Sequence, residues 1–166
     1  TVTLTRKTGT GTLGGTVSGT IGVGASSVTI SGVTYSKAEG GVELTATGSV
    51  GGDVNGKTGD SNAFQVNPGV ATKLVITSVP GSATAATNFA VTVQSQDANG
   101  NASNVVLGTG ISLASSGSGT LSNNTGTISA GTSSVTLSTV QYTKAESMTL
   151  TASRTSGDVL ATSVAS

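Results

Sequence analysis

Ser26–Glu39 reads SSVTISGVTYSKAE, and Ser133–Glu146 reads SSVTLSTVQYTKAE. Ten of the fourteen positions are identical, at a constant offset of 107 residues. Within each copy, Val28 and Ile30, or Val135 and Leu137, alternate with Ser and Thr. That period of two belongs to a strand with one buried face. The Ser-Lys-Ala-Glu and Thr-Lys-Ala-Glu ends are the only helix-compatible stretches. One turn is the most they can form, because helix nucleation is costly and nothing extends it. The copies continue outward. Gly19-Thr20-Ile21 matches Gly126-Thr127-Ile128. Gly11-Thr12-Leu13 matches Gly119-Thr120-Leu121 at an offset of 108, and Leu44-Thr45-Ala46 matches Leu150-Thr151-Ala152 at 106. Such small drifts are loop insertions and deletions. The period is domain-sized, too long for a solenoid unit, so each copy is expected to bury a core of its own.

Between the matched regions lies Asn67-Pro68-Gly69-Val70, where a Pro-Gly pair punctuates the chain. The expected organisation is a partial repeat over 1–67 lacking its first strands, a Pro68-Gly69 linker, and a nearly complete repeat over 70–166 lacking its last strand. The second repeat opens with Lys73–Thr77 and Phe89–Val93, which have no counterpart in the first. Ala63–Val66 closes the first repeat. Missing strands leave open ladder edges and uncovered apolar faces, so neighbouring repeats of the same or an identical chain, or strand complementation between subunits, are the expected partners.

The second repeat predicts strands at 72–78, 88–95, 104–107, 110–114, 119–122, 126–129, 133–138, 147–153 and 159–164. Phe89, Val91 and Val93 share one face, as do Met148, Leu150 and Ala152. The Asn99-Gly100 pair and Ser116–Gly119 supply turns. In the first repeat the same alternation runs through Val2 and Leu4, Val28 and Ile30, and Val42, Leu44 and Ala46, while 50–61 reads as a long hairpin loop. Many short strands separated by turns indicate an all-β fold of tandem two-layer antiparallel sandwiches.

Composition narrows the function. Aromatic residues are only 2% of the chain, namely Tyr35, Phe64, Phe89 and Tyr142, so the core must be largely Val, Ile, Leu and Ala. Charged residues are 8%, balanced in sign, which argues against the highly charged composition of disordered chains. The chain has no basic patch for nucleic acid and no apolar run of membrane-spanning length. His and Cys are absent, which removes the commonest general base, the thiolate nucleophile and imidazole or thiolate metal sites. The few acidic residues are scattered, so no enzyme activity is expected. Abundant Ser, Thr and Gly with sparse charge is the composition of bacterial surface and filament proteins, which points to an extracellular location.

Phe89–Asn101, a strand followed by Gln96-Asp97-Ala98-Asn99-Gly100-Asn101, resembles part of the bacterial immunoglobulin-like repeats of invasin- and intimin-type adhesins and other large surface proteins. Gly117–Leu121 and the stretch from Val135 to Tyr142 resemble further parts of the same repeats. The resemblance covers nearly all of the second repeat and the later half of a domain in 1–67. It implies an immunoglobulin-like spacer or presentation module, with binding often confined to a terminal domain.

Four features are candidate sites. Asp97, Asn99 and Asn101 place side-chain oxygens at alternate positions, either as the Asx hydrogen bonds of a hairpin turn or as part of a calcium site. Calcium is thus the one conceivable cofactor. Tyr35 and Tyr142 occupy one repeat position, as buried corner anchors or as sugar-stacking platforms. Lys37 with Glu39, and Lys144 with Glu146, form either weak surface ion pairs or, were the Lys buried beside Asn or Asp, an isopeptide bond. Phe64, Phe89, Pro68 and Gly69 are expected to be structural. The leading expectation is a structural or spacer repeat of an extracellular adhesin or filament. The alternative is a carbohydrate-binding accessory module of a secreted protein.

Overall fold

The computed structural model describes residues 1–49 and 52–163. Every named element is a β-strand, and all paired strands run antiparallel. The chain divides into two compact units, Thr1–Pro68 and Gly69–Ser166.

Unit 1 contains β1 (Val2–Thr8), β2 (Leu13–Gly15), β3 (Ser18–Gly19), β4 (Val33–Tyr35), β5 (Glu39–Gly48), β6 (Thr58–Asp60) and β7 (Phe64–Val66). Its main sheet has the order β3-β1-β5-β6, with β7 also on β5, and β2 pairs separately with β4. The expected loop over 50–61 is shorter than its composition indicates: β6 pairs with Thr45–Thr47. Val50 and Gly51 of that stretch lie outside the described residues. Lys7 on β1 reaches Glu43 (2.8 Å) and Asp60 (3.0 Å) across the same sheet. These two carboxylates raise the Lys7 pKa.

Unit 2 contains β8 (Lys73–Ser78), β9 (Phe89–Gln96), β10 (Thr109–Ser115), β11 (Leu121–Ser122), β12 (Thr125–Ile128), β13 (Ser134–Tyr142) and β14 (Leu150–Arg154). One sheet has the order β12-β10-β14 and the other β11-β13-β9-β8. Their inward side chains make a single core. Ile111, Leu113, Ile128 and Leu150 come from the first sheet, and Leu74, Val91, Val93, Leu137 and Val140 from the second. Along the Val-rich β9, buried residues alternate with exposed or half-buried ones, the pattern of a strand with one face in the core.

A bulge explains how β13 keeps its apolar side inward. Its pairing with β9 shifts between Leu137 and Val140. The extra residue moves the inward-facing set from odd positions, partly buried Val135 and buried Leu137, to even ones, Val140 and Tyr142. The sequence copy in unit 1 has the same spacing: Val28 and Ile30, then Val33 and Tyr35.

Two expected strands of unit 2 do not form as such. Across 104–107 the amides of Val106 and Leu107 donate to the Asp158 carboxylate at 2.6 and 3.1 Å instead of to a neighbouring strand. Within 159–163 one parallel bridge forms, Lys73 with Ala161. Leu74 N–H donates to the Ala161 carbonyl at 2.9 Å, and Ala161 N–H to Thr72 at 2.8 Å. Leu160 is buried beside this bridge. In unit 1, Val28–Ile30 belongs to no strand, and among the described residues no strand pairs with it as β9 pairs with β13. The Ser-Lys-Ala-Glu and Thr-Lys-Ala-Glu segments form no helix.

Candidate functional site

The most elaborate polar arrangement is built twice, once per unit, from the same residues. In unit 1 it joins the loop after β1 to the end of β4. The Tyr35 hydroxyl donates to Glu39 Oε1 at 2.6 Å, and Gly11 N–H donates to the Tyr35 hydroxyl at 2.8 Å. Glu39 also accepts from the backbone N–H groups of Thr10 (2.6 Å) and Gly11 (3.0 Å) and from the Thr10 hydroxyl (2.7 Å). Lys37 bonds the Thr10 hydroxyl and lies 3.3 Å from Glu39. In unit 2, Tyr142 donates to Glu146, and Gly119 N–H donates to the Tyr142 hydroxyl at 2.7 Å. Glu146 accepts from Ser118 N–H (2.7 Å) and Gly119 N–H (3.1 Å), with Lys144 at 2.9 Å. A flanking pair is also copied: Thr12 N–H to Ser36 Oγ and Thr120 N–H to Thr143 Oγ1, at 2.9 and 2.8 Å.

Glycines make room for this clamp. A Cβ on Gly117 would sit 2.1 Å from the Tyr142 hydroxyl, and one on Gly9 2.3 Å from that of Tyr35. A Cβ on Gly11 would sit 2.5 Å from the Tyr35 ring, and one on Gly119 2.8 Å from the Tyr142 ring. The Gly-Thr-Gly at 9–11 and the Gly-Ser-Gly at 117–119 therefore fold around a phenol, offering N–H donors where side chains would clash.

The carboxylates are tuned accordingly. The Tyr35 hydroxyl, followed by Thr10 and Gly11, holds the Glu39 carboxyl far below the usual range. Glu146 is pushed down to about 2, first by the Tyr142 hydroxyl, then by Lys144 and the Ser118 and Gly119 amides. Burial, followed by the neighbouring Glu146, raises the Tyr142 phenol. Saturated acceptors with lowered pKa values are poor proton acceptors at neutral pH. The clamp is suited to holding a corner and not to moving protons. Lys37 and Lys144 are about half exposed, far from the burial that an isopeptide bond needs.

Sequence reasoning singles out the two tyrosines as corner anchors, and each hydroxyl does bond backbone. It assigns Glu39 and Glu146 to their lysines, whereas the tyrosine hydroxyl is the first partner of each. The four glycines were missed as a set. Their signal was the matched Gly-Thr-Leu runs, whose offset differs by one residue from that of the tyrosines.

Asp97, Asn99 and Asn101 do come together. Asp97 is buried, and its oxygens accept from Gly69, Asn99 and Asn101 backbone N–H and from the Asn101 side-chain amide, all at 2.9 Å. Burial would raise this carboxyl, but the Asn101, Gly69 and Asn99 donors outweigh it and the net shift is downward. These N–H groups occupy about all the lone-pair positions of a carboxylate, so a calcium ion would have to displace them. The loop works as an Asx-type turn that also fastens Gly69, the residue after Pro68, to the start of unit 2. Ser103 supports the same point by donating to the Gly69 carbonyl at 2.6 Å. Among the described residues, no group of three or more His, Cys, Asp or Glu gathers as a metal site.

The aromatic rings are largely committed to packing. Phe89 and Tyr142 are buried in the unit 2 core, Tyr35 is half-buried, and Phe64 on β7 is 41% exposed. A groove of about 460 Å³ lies between the Val79–Ala85 loop and the unit 2 corner, touching Phe89, Tyr142 and Met148. Its charged groups, Lys144 and Glu146, already face each other. Among the described residues, no helix is long and apolar enough to cross a membrane. Comparison with protein-family models, with curated proteins and with solved structures finds no match for this chain.

Proposed function

We propose that the chain is a structural spacer segment of an extracellular bacterial surface adhesin or filament, built from tandem immunoglobulin-like sandwiches. The observation that carries this reading is how the ends of unit 2 are tied. The segment leaving the unit runs parallel to β8, the strand that enters it, through the Leu74–Ala161 and Ala161–Thr72 hydrogen bonds. Tension applied along the chain pulls parallel neighbours in opposite directions. It loads those bonds in shear, so that they must break together. Asp97 reinforces the entering end by fastening Gly69. Resistance to pulling is a matter of unfolding rate, not of equilibrium stability, and such end-tying acts on that rate. The repeated tyrosine clamp and the aliphatic core hold the rest of the unit.

Single-molecule extension of the chain between handles at its two ends tests this reading. The expected record has a distinct high-force unfolding event for unit 2, lowered when Ala161 is replaced by Pro. Unfolding of unit 2 at forces no higher than those of unit 1, and unchanged by Ala161→Pro, would remove the mechanical reading.

A further inference from the structure

Two asparagines in the chain precede a glycine, Asn55 and Asn99. That pairing carries a reaction of its own. The backbone nitrogen after an asparagine attacks the side-chain amide carbon and closes a succinimide ring, and a following glycine, with no Cβ, leaves the approach open. The two pairs have different surroundings. Gly56 N–H is tied across the β5–β6 hairpin to the Gly48 carbonyl at 2.9 Å. Gly100 N–H donates at 3.2 Å to the Asp97 carbonyl and closes only its own turn. A local opening therefore frees the Gly100 nitrogen without unzipping a ladder. Asn99 is exposed, and among the described residues no hydrogen bond holds its side chain. A Cβ on Gly100 would meet only the Gln96 side chain, at 3.8 Å, so nothing crowds the ring.

The same turn holds the entering end of unit 2. Asp97 Oδ1 accepts the N–H groups of Asn99 and Asn101, both at 2.9 Å. Its Oδ2 accepts Gly69 N–H and the Asn101 side-chain amide at the same 2.9 Å. The Asn99–Gly100 link lies between the two amides that converge on Oδ1, so an extra carbon in that link moves them apart.

We infer that Asn99 is a site of spontaneous modification, at which deamidation and isomerisation release Gly69 from Asp97. The Gly100 nitrogen attacks Asn99 Cγ. The new N–Cγ bond forms as the Cγ–Nδ2 bond breaks, and ammonia leaves with the proton of the attacking amide. Water then opens the succinimide. Hydrolysis of the Cγ–N bond leaves an aspartyl residue. Hydrolysis at the α-carbonyl carbon leaves an isoaspartyl residue, with the main chain routed through Cγ and lengthened by a carbon. Water is the only co-reactant, and nothing is oxidised or reduced. Either product places a second carboxylate near Asp97, and like charges disfavour each other. The isoaspartyl form also separates the N–H groups that Asp97 gathers. The inference rests on the chemistry of this turn and not on the spacer role.

The test incubates the intact chain in warm, mildly alkaline buffer beside a free peptide with the sequence of Gln96–Asn101. Masses of digest fragments and isoaspartyl-specific methylation locate the change, and backbone amide exchange reads its effect. The expected result is the mass gain of an amide-to-acid exchange at position 99, isoaspartyl methylation there, and exchange at Gly69 and Asn101 faster on the order of tenfold. Asn99→Gln, whose longer side chain does not close the ring, keeps its mass and its Gly69 protection through the same incubation. Position 99 unchanged after the free peptide has converted, or an isoaspartyl residue at 99 with Gly69 protection intact, overturns the inference.

Discussion

Val135 and Leu137 of unit 2 and Val28 and Ile30 of unit 1 occupy copies of one sequence. Leu137 is buried and pairs with Val91 of β9, while Ile30 is half-buried and belongs to no strand. The difference extends through the units. Sixteen of the buried apolar residues belong to one cluster in unit 2, and Val42 is the only one in unit 1 among the described residues. In contrast, the tyrosine clamp is the same in both. Among the described residues, unit 1 has no strands equivalent to β8 and β9, and little of its apolar surface is fully buried. The clamp is made from a loop and a corner close in sequence, within about the same thirty residues of each copy, so it forms regardless. Short-range polar contacts survive the absence of a layer; apolar burial does not.

The largest effect that can break this comparison is in the core. Leu137→Ala is expected to cost unit 2 about 2–4 kcal/mol, whereas Ile30→Ala in unit 1 should cost less than about 1.5 kcal/mol because its side chain is half exposed. Amide exchange resolved by unit is the suitable measurement, since a two-unit chain need not unfold in one step. Equal costs at the two positions would mean that unit 1 has a core of its own kind.

Asp97→Ala should follow, at roughly 1–3 kcal/mol, because it strips acceptors from three backbone amides and an Asn side chain. The loss should appear in unit 2 only, read as faster exchange at Gly69, Asn99 and Asn101.

Gly117→Ala and Gly9→Ala sharpen the comparison from the other direction. Each new Cβ collides with a tyrosine hydroxyl, at a cost of about 1–3 kcal/mol. Gly9 also has φ +99°, so its replacement adds backbone strain. Both units should lose stability, in contrast to the core substitutions.

Acid titration gives a graded readout. Glu146 has its pKa lowered from 4.5 to about 2 in the folded chain, and Glu39 and Asp97 are lowered as well. Below the unfolded values, the unfolded state binds more protons than the folded one, so stability rises with pH there. The contribution of these carboxylates is therefore complete above about pH 5 and declines as pH falls from about 4.5 through about 2. Melting followed by circular dichroism across that window should show it, and Glu146→Gln should flatten the slope for unit 2. The smallest effects are expected from Lys144→Ala and from added calcium: neither should shift the melting temperature measurably, the first because the pair is exposed, the second because Asp97 is filled by N–H donors.

The alternation of Val91 and Val93, or of Leu150 and Ala152, was legible because a strand with one buried face must repeat every two residues. The tyrosine positions were legible because aromatics are so few and these two recur in register. The sequence could not assign 104–107, where the amides turn to Asp158, a residue 51 or 52 positions away. Nor could it show that Glu39 and Glu146 serve the tyrosine hydroxyls first. By itself, the chain specified β-structure, the repeat and the corner residues, since period, turn chemistry and copied positions are local properties. Tertiary structure alone decided whether a given copy became a paired, buried strand. A strand completes its hydrogen bonds and covers its apolar side only through a neighbour that its own sequence does not contain.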